Sequence, residues 1–251
     1  MGASYKDNCI VLKKTKLKEA DLIVTMVDER GQQVRGVAKG ARKPGNKRFG
    51  ARLEPFSYVS VQLYPGRSLE SITEVQCIET NAGIRGDLDR SAAAAYASEL
   101  VEKSTKDGEL DPVVFQMLRA LFSKIGIADQ SHCLTLALAF QLKALAIMGL
   151  RPSMRYCVSC GANTASEDVF SIHDGGRLCP SCAGEFHGDV DPAVVDWVDL
   201  LLNSTFEEVS HMDAAPALAL LDFADAWIAE HMGLRLKTSS FLRMALLHPC
   251  M

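Results

Sequence analysis

Four of the eight cysteines in this chain stand in two pairs. Cys157-Val158-Ser159-Cys160 is followed, 18 residues later, by Cys179-Pro180-Ser181-Cys182. A C-x2-C pair, a gap of roughly 15–20 residues and a second C-x2-C pair is the spacing of a structural zinc site. Two intervening residues let both sulfurs of a pair reach one face of a tight turn. Two such turns then surround a Zn²⁺ with four sulfurs at about 2.3 Å. Gly161, just after the first pair, is free to take the positive φ that such a turn requires. Four thiolates leave no open position for a substrate, so the expected metal is one structural Zn²⁺ per chain. Iron accepts the same ligands. Two disulfides suit an oxidising compartment, and a thioredoxin-like redox pair accounts for one C-x2-C but not for two. Cys9, Cys77, Cys133 and Cys250 are scattered. Cys77 and Cys133 lie in apolar patterns and read as small core residues. His173 and His187 flank the cluster and read as surface histidines.

The second constellation is cationic. Net charge is −4, yet residues 1–80 carry 14 Lys and Arg against 9 Asp and Glu, leaving residues 81–251 strongly acidic. From Arg35 to Arg52 the chain holds Arg35, Lys39, Arg42, Lys43, Lys47, Arg48 and Arg52 with no acidic residue. Gly36, Gly40, Pro44, Gly45 and Gly50 make much of this stretch loop-like. Such a loop can follow a phosphate backbone, each cation making a point contact. Alternatively it is a solvated basic surface.

These residues need elements to hold them. Five runs rich in Val, Ile and Tyr read as strands: 8–14, 20–28, 32–39, 56–64 and 70–79. In the fourth, Val59, Val61 and Leu63 alternate with Tyr58, Ser60 and Gln62. Glu29-Arg30-Gly31 and Tyr64-Pro65-Gly66-Arg67 read as turns. Five short strands in about 80 residues suit a small closed barrel, an OB-fold or an SH3-like barrel. Beyond residue 85 the period becomes helical. Helices are expected from Asp87 to Ser104, from Asp111-Pro112 to about Lys124, from Ser131 to Gly149, after Asp191-Pro192, from Asp213 to Gly233, and from Ser239 to Leu247. Their broad apolar stripes read as a bundle. Val169–Ile172 and Arg177–Leu178 read as a hairpin across Asp174-Gly175-Gly176.

The expected class is therefore α+β and multidomain. The divisions are a basic small barrel, an OB-fold or an SH3-like one, over 1–80, helices over 81–153, a four-cysteine zinc module over 154–187 inserted into the helical part, and further helices over 188–251. Composition is ordinary for a globular chain, at 48% hydrophobic and 23% charged, which excludes fibrous and disordered classes. No apolar run reaches membrane-spanning length, since Gln141 and Lys143 interrupt Cys133–Met148. The N-terminus lacks the apolar core of a signal peptide, so a cytoplasmic protein is expected. Enzyme signatures are missing from the sequence. There is no G-x-x-x-x-G-K-[ST], no G-x-S-x-G and no H-E-x-x-H. The H-x-E and P-C-x-x-C of zinc deaminases are missing too.

Val37-Ala38-Lys39-Gly40-Ala41-Arg42-Lys43, followed by Gly50-Ala51-Arg52-Leu53-Glu54-Pro55-Phe56, resembles the RecO family of bacterial recombination-repair proteins. So do Ile10-Val11-Leu12-Lys13 with Glu19-Ala20-Asp21, and Phe140 to Pro152 leading into Cys157-Val158-Ser159-Cys160-Gly161. The resemblance covers nearly the whole chain. It implies an N-terminal OB-fold, a helical C-terminal domain and an inserted zinc module. It further implies ATP-independent binding of single- and double-stranded DNA and annealing of complementary strands. The implied partners are RecR, the acidic C-terminal tail of single-stranded DNA-binding protein and, functionally, RecA. By position, Lys39, Arg42 and Lys43 match the family's basic motif. Ala139 and Ser239 stand where some members carry Arg. A zinc-containing OB-fold protein acting on RNA or in translation is the competing reading, and a metal-dependent nucleic-acid enzyme a third.

Overall fold

A computed structural model of the chain describes residues 3–43, 49–106, 108–165, 168–212 and 215–247. It divides into two compact units, Met1–Ile127 and Ala128–Met251.

In the first unit, β1 (Tyr5–Leu17), β2 (Asp21–Asp28), β3 (Gln33–Ala38), β4 (Tyr58–Tyr64) and β5 (Glu70–Glu79) form a closed barrel in the order β1-β2-β3-β5-β4. That order is OB-like, and it separates this barrel from the SH3-like alternative that strand counting leaves open. All pairings are antiparallel except β3 with β5. Pairing β3 with β5 in parallel closes the cylinder through only two residue pairs, Gly36↔Glu70 and Val37↔Ser71. Alternate residues fill the barrel, among them Val11, Val24, Met26, Val59, Val61, Leu63 and Ile72, and Phe49 and Leu53 plug it from a 3-10 turn at Gly50–Leu53.

Tyr58 breaks the simple inside–outside pattern expected of β4. It points outward but is buried, because a helix covers it. Its ring meets Phe115 edge-on at 5.9 Å, the Arg119 guanidinium lies 4.6 Å over its face, and its hydroxyl donates to Glu29. The covering helices are α1 (Ala82–Arg85), α2 (Leu88–Ser104) and α3 (Pro112–Ile125). Asp87 and Asp111 cap the latter two, accepting from the N–H groups of Arg90 and Val113. The single turn of α1 was not expected from the sequence pattern, being too short to show a period.

In the second unit, α4 (Gln130–Ile147) is apolar nearly all round because it is the central helix. Asp129, not Ser131, occupies its N-cap position, and Ser131 falls inside the helix. Lys143, half-buried there, donates to the Leu202 carbonyl at 2.9 Å. A small hairpin, β6 (Val169–Ser171) and β7 (Gly176–Leu178), precedes a short helix, α5 (Pro180–Ala183). Then come α6 (Pro192–Asn203), α7 (Phe206–Val209), α8 (Ala217–Met232) and α9 (Thr238–Leu247). Three of these, α6, α7 and α8, pack on α4. The expected start at Asp213 lies outside the described residues, and α8 begins after Pro216. No helix among the described residues is long and apolar enough to cross a membrane.

Candidate nucleic-acid interface and metal centre

The four cysteines of the two pairs converge. Their sulfurs all lie within 4.8 Å of one another, in a group formed by Cys157, Cys160, Cys179 and Cys182. Ligands 2.3 Å from a metal at the corners of a tetrahedron stand about 3.8 Å apart. The Sγ atoms of Cys160 and Cys179 are 3.8 Å apart, far beyond disulfide bonding distance. The backbone produces this arrangement. Gly161 takes φ +74°, and its N–H returns to the Cys157 carbonyl at 2.9 Å, closing the first turn. The N–H of Cys182 returns to the Cys179 carbonyl at 2.9 Å, closing the second. The Val158 N–H reaches the Arg177 carbonyl at 3.0 Å, tying the first turn to the hairpin.

The local field suits a thiolate at Cys157 in particular. The Cys179 N–H points at Cys157 Sγ from 3.4 Å. With the Cys160 N–H it holds the Cys157 thiol down at about 6. The residues present therefore fit a soft divalent ion such as Zn²⁺. His173 and His187 are not among the clustered ligands. His173 instead meets Glu230 Oε1 at 2.7 Å. The module is seated on α8: Phe170 packs against Phe223 and Trp227, Trp227 Nε1 donates to the Leu150 carbonyl, and His231 Nε2 lies 2.8 Å from the Ile172 carbonyl. Of the cysteines read as core, Cys133 is fully buried. Cys77 is only half-buried, although it pairs across the sheet with the core residue Val59, and Cys9 lies inside the barrel.

The basic residues fall in three places on the barrel. Lys39, Arg42 and Lys43 share one corner after β3. There Gly40 takes φ +69°, its N–H donates to Asp21 Oδ1 at 2.7 Å, and the Lys43 N–H closes on the Gly40 carbonyl. The Arg42 backbone N–H donates to the Ala20 carbonyl at 2.9 Å and its guanidinium to the Glu19 carbonyl at 3.0 Å. The three side chains are exposed and carry no carboxylate partner among the described residues. Arg35 projects from β3 four residues earlier, about 13 Å along the strand. Arg52 lies on the 3-10 turn, next to Glu74, Gln76 and Cys77 of β5. Lys47 and Arg48 lie outside the described residues.

A family model described as the N terminal of recombination protein O matches residues 1–81, and one for its C terminal matches residues 85–240. The chain belongs to the RecO family. It is 32% identical over 247 residues to the DNA repair protein RecO of Symbiobacterium thermophilum, covering 96% of this chain and 97% of that protein. With the DNA repair protein RecO of Desulforamulus reducens it shares 37% over 181 residues, 71% of this chain and 69% of the other. With that of Thermobifida fusca it shares 35% over 205 residues, 81% and 83% respectively.

The RecO-like segments Glu19-Ala20-Asp21 and Lys39–Lys43 are thus the two halves of one hydrogen-bonded corner. Two cations at that corner escaped the sequence reading. Lys16 pairs with Leu22, which in turn faces Ala38, and Lys18 sits in the β1–β2 connection at φ 56°. Both are exposed. Their neighbours Lys13 and Lys14 are neutralised by Glu102 and Glu54. The alternation of Lys14 and Lys16 was the available signal, since residues two apart share one side of a strand, and Lys18 follows in the connection.

Proposed function

We propose that the chain is a non-enzymatic recombination-repair mediator. It binds single- and double-stranded DNA through the barrel, anneals complementary strands and helps place recombinase on protein-coated single strands. The observation that carries this reading is the corner formed by Lys39, Arg42 and Lys43, with Lys16 and Lys18 beside it. Five exposed cations without carboxylate partners among the described residues face solvent from a backbone fixed by hydrogen bonds. Fixed cations track phosphates without reading bases. Arg35 and Arg52 extend the basic surface to other parts of the barrel, and Lys47 and Arg48 add two cations to the same stretch of sequence. Family membership supports RecR, the acidic tail of single-stranded DNA-binding protein and, functionally, RecA as partners. The four-cysteine centre holds one structural Zn²⁺ through Cys157, Cys160, Cys179 and Cys182. Its thiolates fill the coordination shell, so it organises the module and does not activate water.

The test is titration of labelled single-stranded DNA and of RNA of the same sequence over a salt series. Replacing Lys39, Arg42 and Lys43 together with alanine lowers affinity for all sequences alike. It also reduces the log–log salt slope by about 0.7 for every phosphate that the variant no longer holds. An unchanged slope moves the interface elsewhere, and a marked preference for RNA overturns the repair reading.

A further inference from the structure

A cleft of about 840 Å³ opens beside the β3–β5 seam of the barrel. That is within the range of ligand pockets, roughly 300–1,000 Å³. Arg35 enters it from β3, Arg67 from the β4–β5 connection and Lys106 from the segment after α2. None of the three forms an ion pair among the described residues. Arg30 lines the cleft too, but its guanidinium is taken by Asp7 and Asp28. Two carboxylates also line the cleft: Glu109, which accepts from the Gln32 amide at 2.8 Å, and Glu70, which stands among the cations and accepts from the Tyr5 hydroxyl. The Oε2 atom of Glu70 is buried and has no hydrogen-bond partner among the described residues.

The cleft therefore makes two demands that few ligands meet together. Three unpaired cations call for an anion. A buried carboxylate oxygen calls for an N–H or O–H donor, because leaving it unmatched costs its full desolvation. A divalent cation would satisfy Glu70 against the repulsion of three positive charges. An acidic peptide would satisfy the cations and repel Glu70. A nucleotide carries both halves, a phosphate at one end and base-edge N–H groups at the other. Its ring also gives the partly exposed Tyr5 a face to stack on.

We propose that this cleft takes one unstacked nucleotide of a single strand, its phosphate among Arg35, Arg67 and Lys106 and its base edge donating to Glu70. This rests on the reading that the chain binds DNA strands, and adds to it a site where a base is sensed. The chemistry of Glu70 selects among bases. Cytosine offers an exocyclic amine, from which a carboxylate accepts well. Thymine offers a single N–H flanked by two carbonyl oxygens, which a carboxylate repels.

The experiment compares oligo(dC) and oligo(dT) of equal length, at one salt concentration and neutral pH, by fluorescence anisotropy. The intact protein binds oligo(dC) about fivefold more tightly, one base-edge contact being the difference. Glu70→Gln, whose amide can also donate to thymine, brings the two affinities together. Arg35→Ala and Arg67→Ala weaken both and keep their ratio. Equal affinities in the intact protein, or a ratio that Glu70→Gln leaves unchanged, overturn the base site and leave strand binding standing. Failure of both oligonucleotides to bind overturns the functional reading itself, and this site with it.

Discussion

Asp21 accepts the backbone N–H of Gly40 at 2.7 Å across the end of the barrel. A single carboxylate from the start of β2 thus sets the corner on which Lys39, Arg42 and Lys43 stand. A negative charge beside a cationic surface weakens phosphate binding by its field alone, so its presence there needs the hydrogen bond as its reason.

Replacing Asp21 with alanine separates the two effects. The protein loses about 1 kcal/mol of stability with the hydrogen bond. Although the substitution makes the surface more positive, DNA affinity falls by about fivefold, the equivalent of that energy. Equilibrium titration alongside urea unfolding reads both. Tighter binding would mean that charge alone governs the interface.

Strand annealing is expected to proceed without nucleotide triphosphate and with EDTA present, using protein already loaded with metal. Stacking of the product gives about 1.4 kcal/mol per base-pair step, so the reaction runs downhill once phosphate repulsion is screened. The rate declines with salt in step with binding. A stopped-flow time course measures it, and a strict need for ATP would return an enzymatic reading to the front.

Cys157→Ser removes the thiolate that the backbone N–H groups favour most. The expected result is loss of about one metal ion per chain, read by elemental analysis. Protection from proteolysis disappears across 154–187 while the barrel keeps its unfolding transition. Metal binding and local folding are one equilibrium in such modules, commonly on the order of 10 kcal/mol.

His173 titrates above its ordinary value, mainly through its hydrogen bond to Glu230, then through that carboxylate's charge and that of Asp174. Because the folded value is raised, the contact is fully present below about pH 6.5 and fades as pH rises through the raised value. Glu230→Gln returns the imidazole toward about 6.5. A proton NMR titration of the ring follows the change, and an unaltered midpoint would dissociate the pair.

The cysteine spacing was fully legible, because coordination geometry acts over a few residues and fixes their types. So were the five strands and the caps at Asp111 and Asp191, where a local donor–acceptor rule applies. The α7 turn could have been read from Thr205 and Glu208, whose reciprocal bonds form a capping box. What the sequence hid were relations between distant segments. The burial of Tyr58 depends on Phe115 and Arg119, and only folding shows that Lys16 and Lys18 join the Lys39 corner. Among Lys13, Lys14, Lys16 and Lys18, it is the neighbours Glu102 and Glu54 that decide which stay available. Charge counting treats all four as equal.

The seam between β3 and β5 also has a consequence in time. On its other side β3 is held to β2 by six residue pairs, but to β5 by two. A cylinder breathes where it is least stitched, so amide protons at Val37 and Ser71 exchange with solvent well before those of β1 and β4. Glu70 and Gly36 form one of those two stitches, with Arg35 adjoining. A strand lodged there would act as a third stitch and slow the exchange of both, so that the barrel keeps a record of its cargo in its own breathing rate.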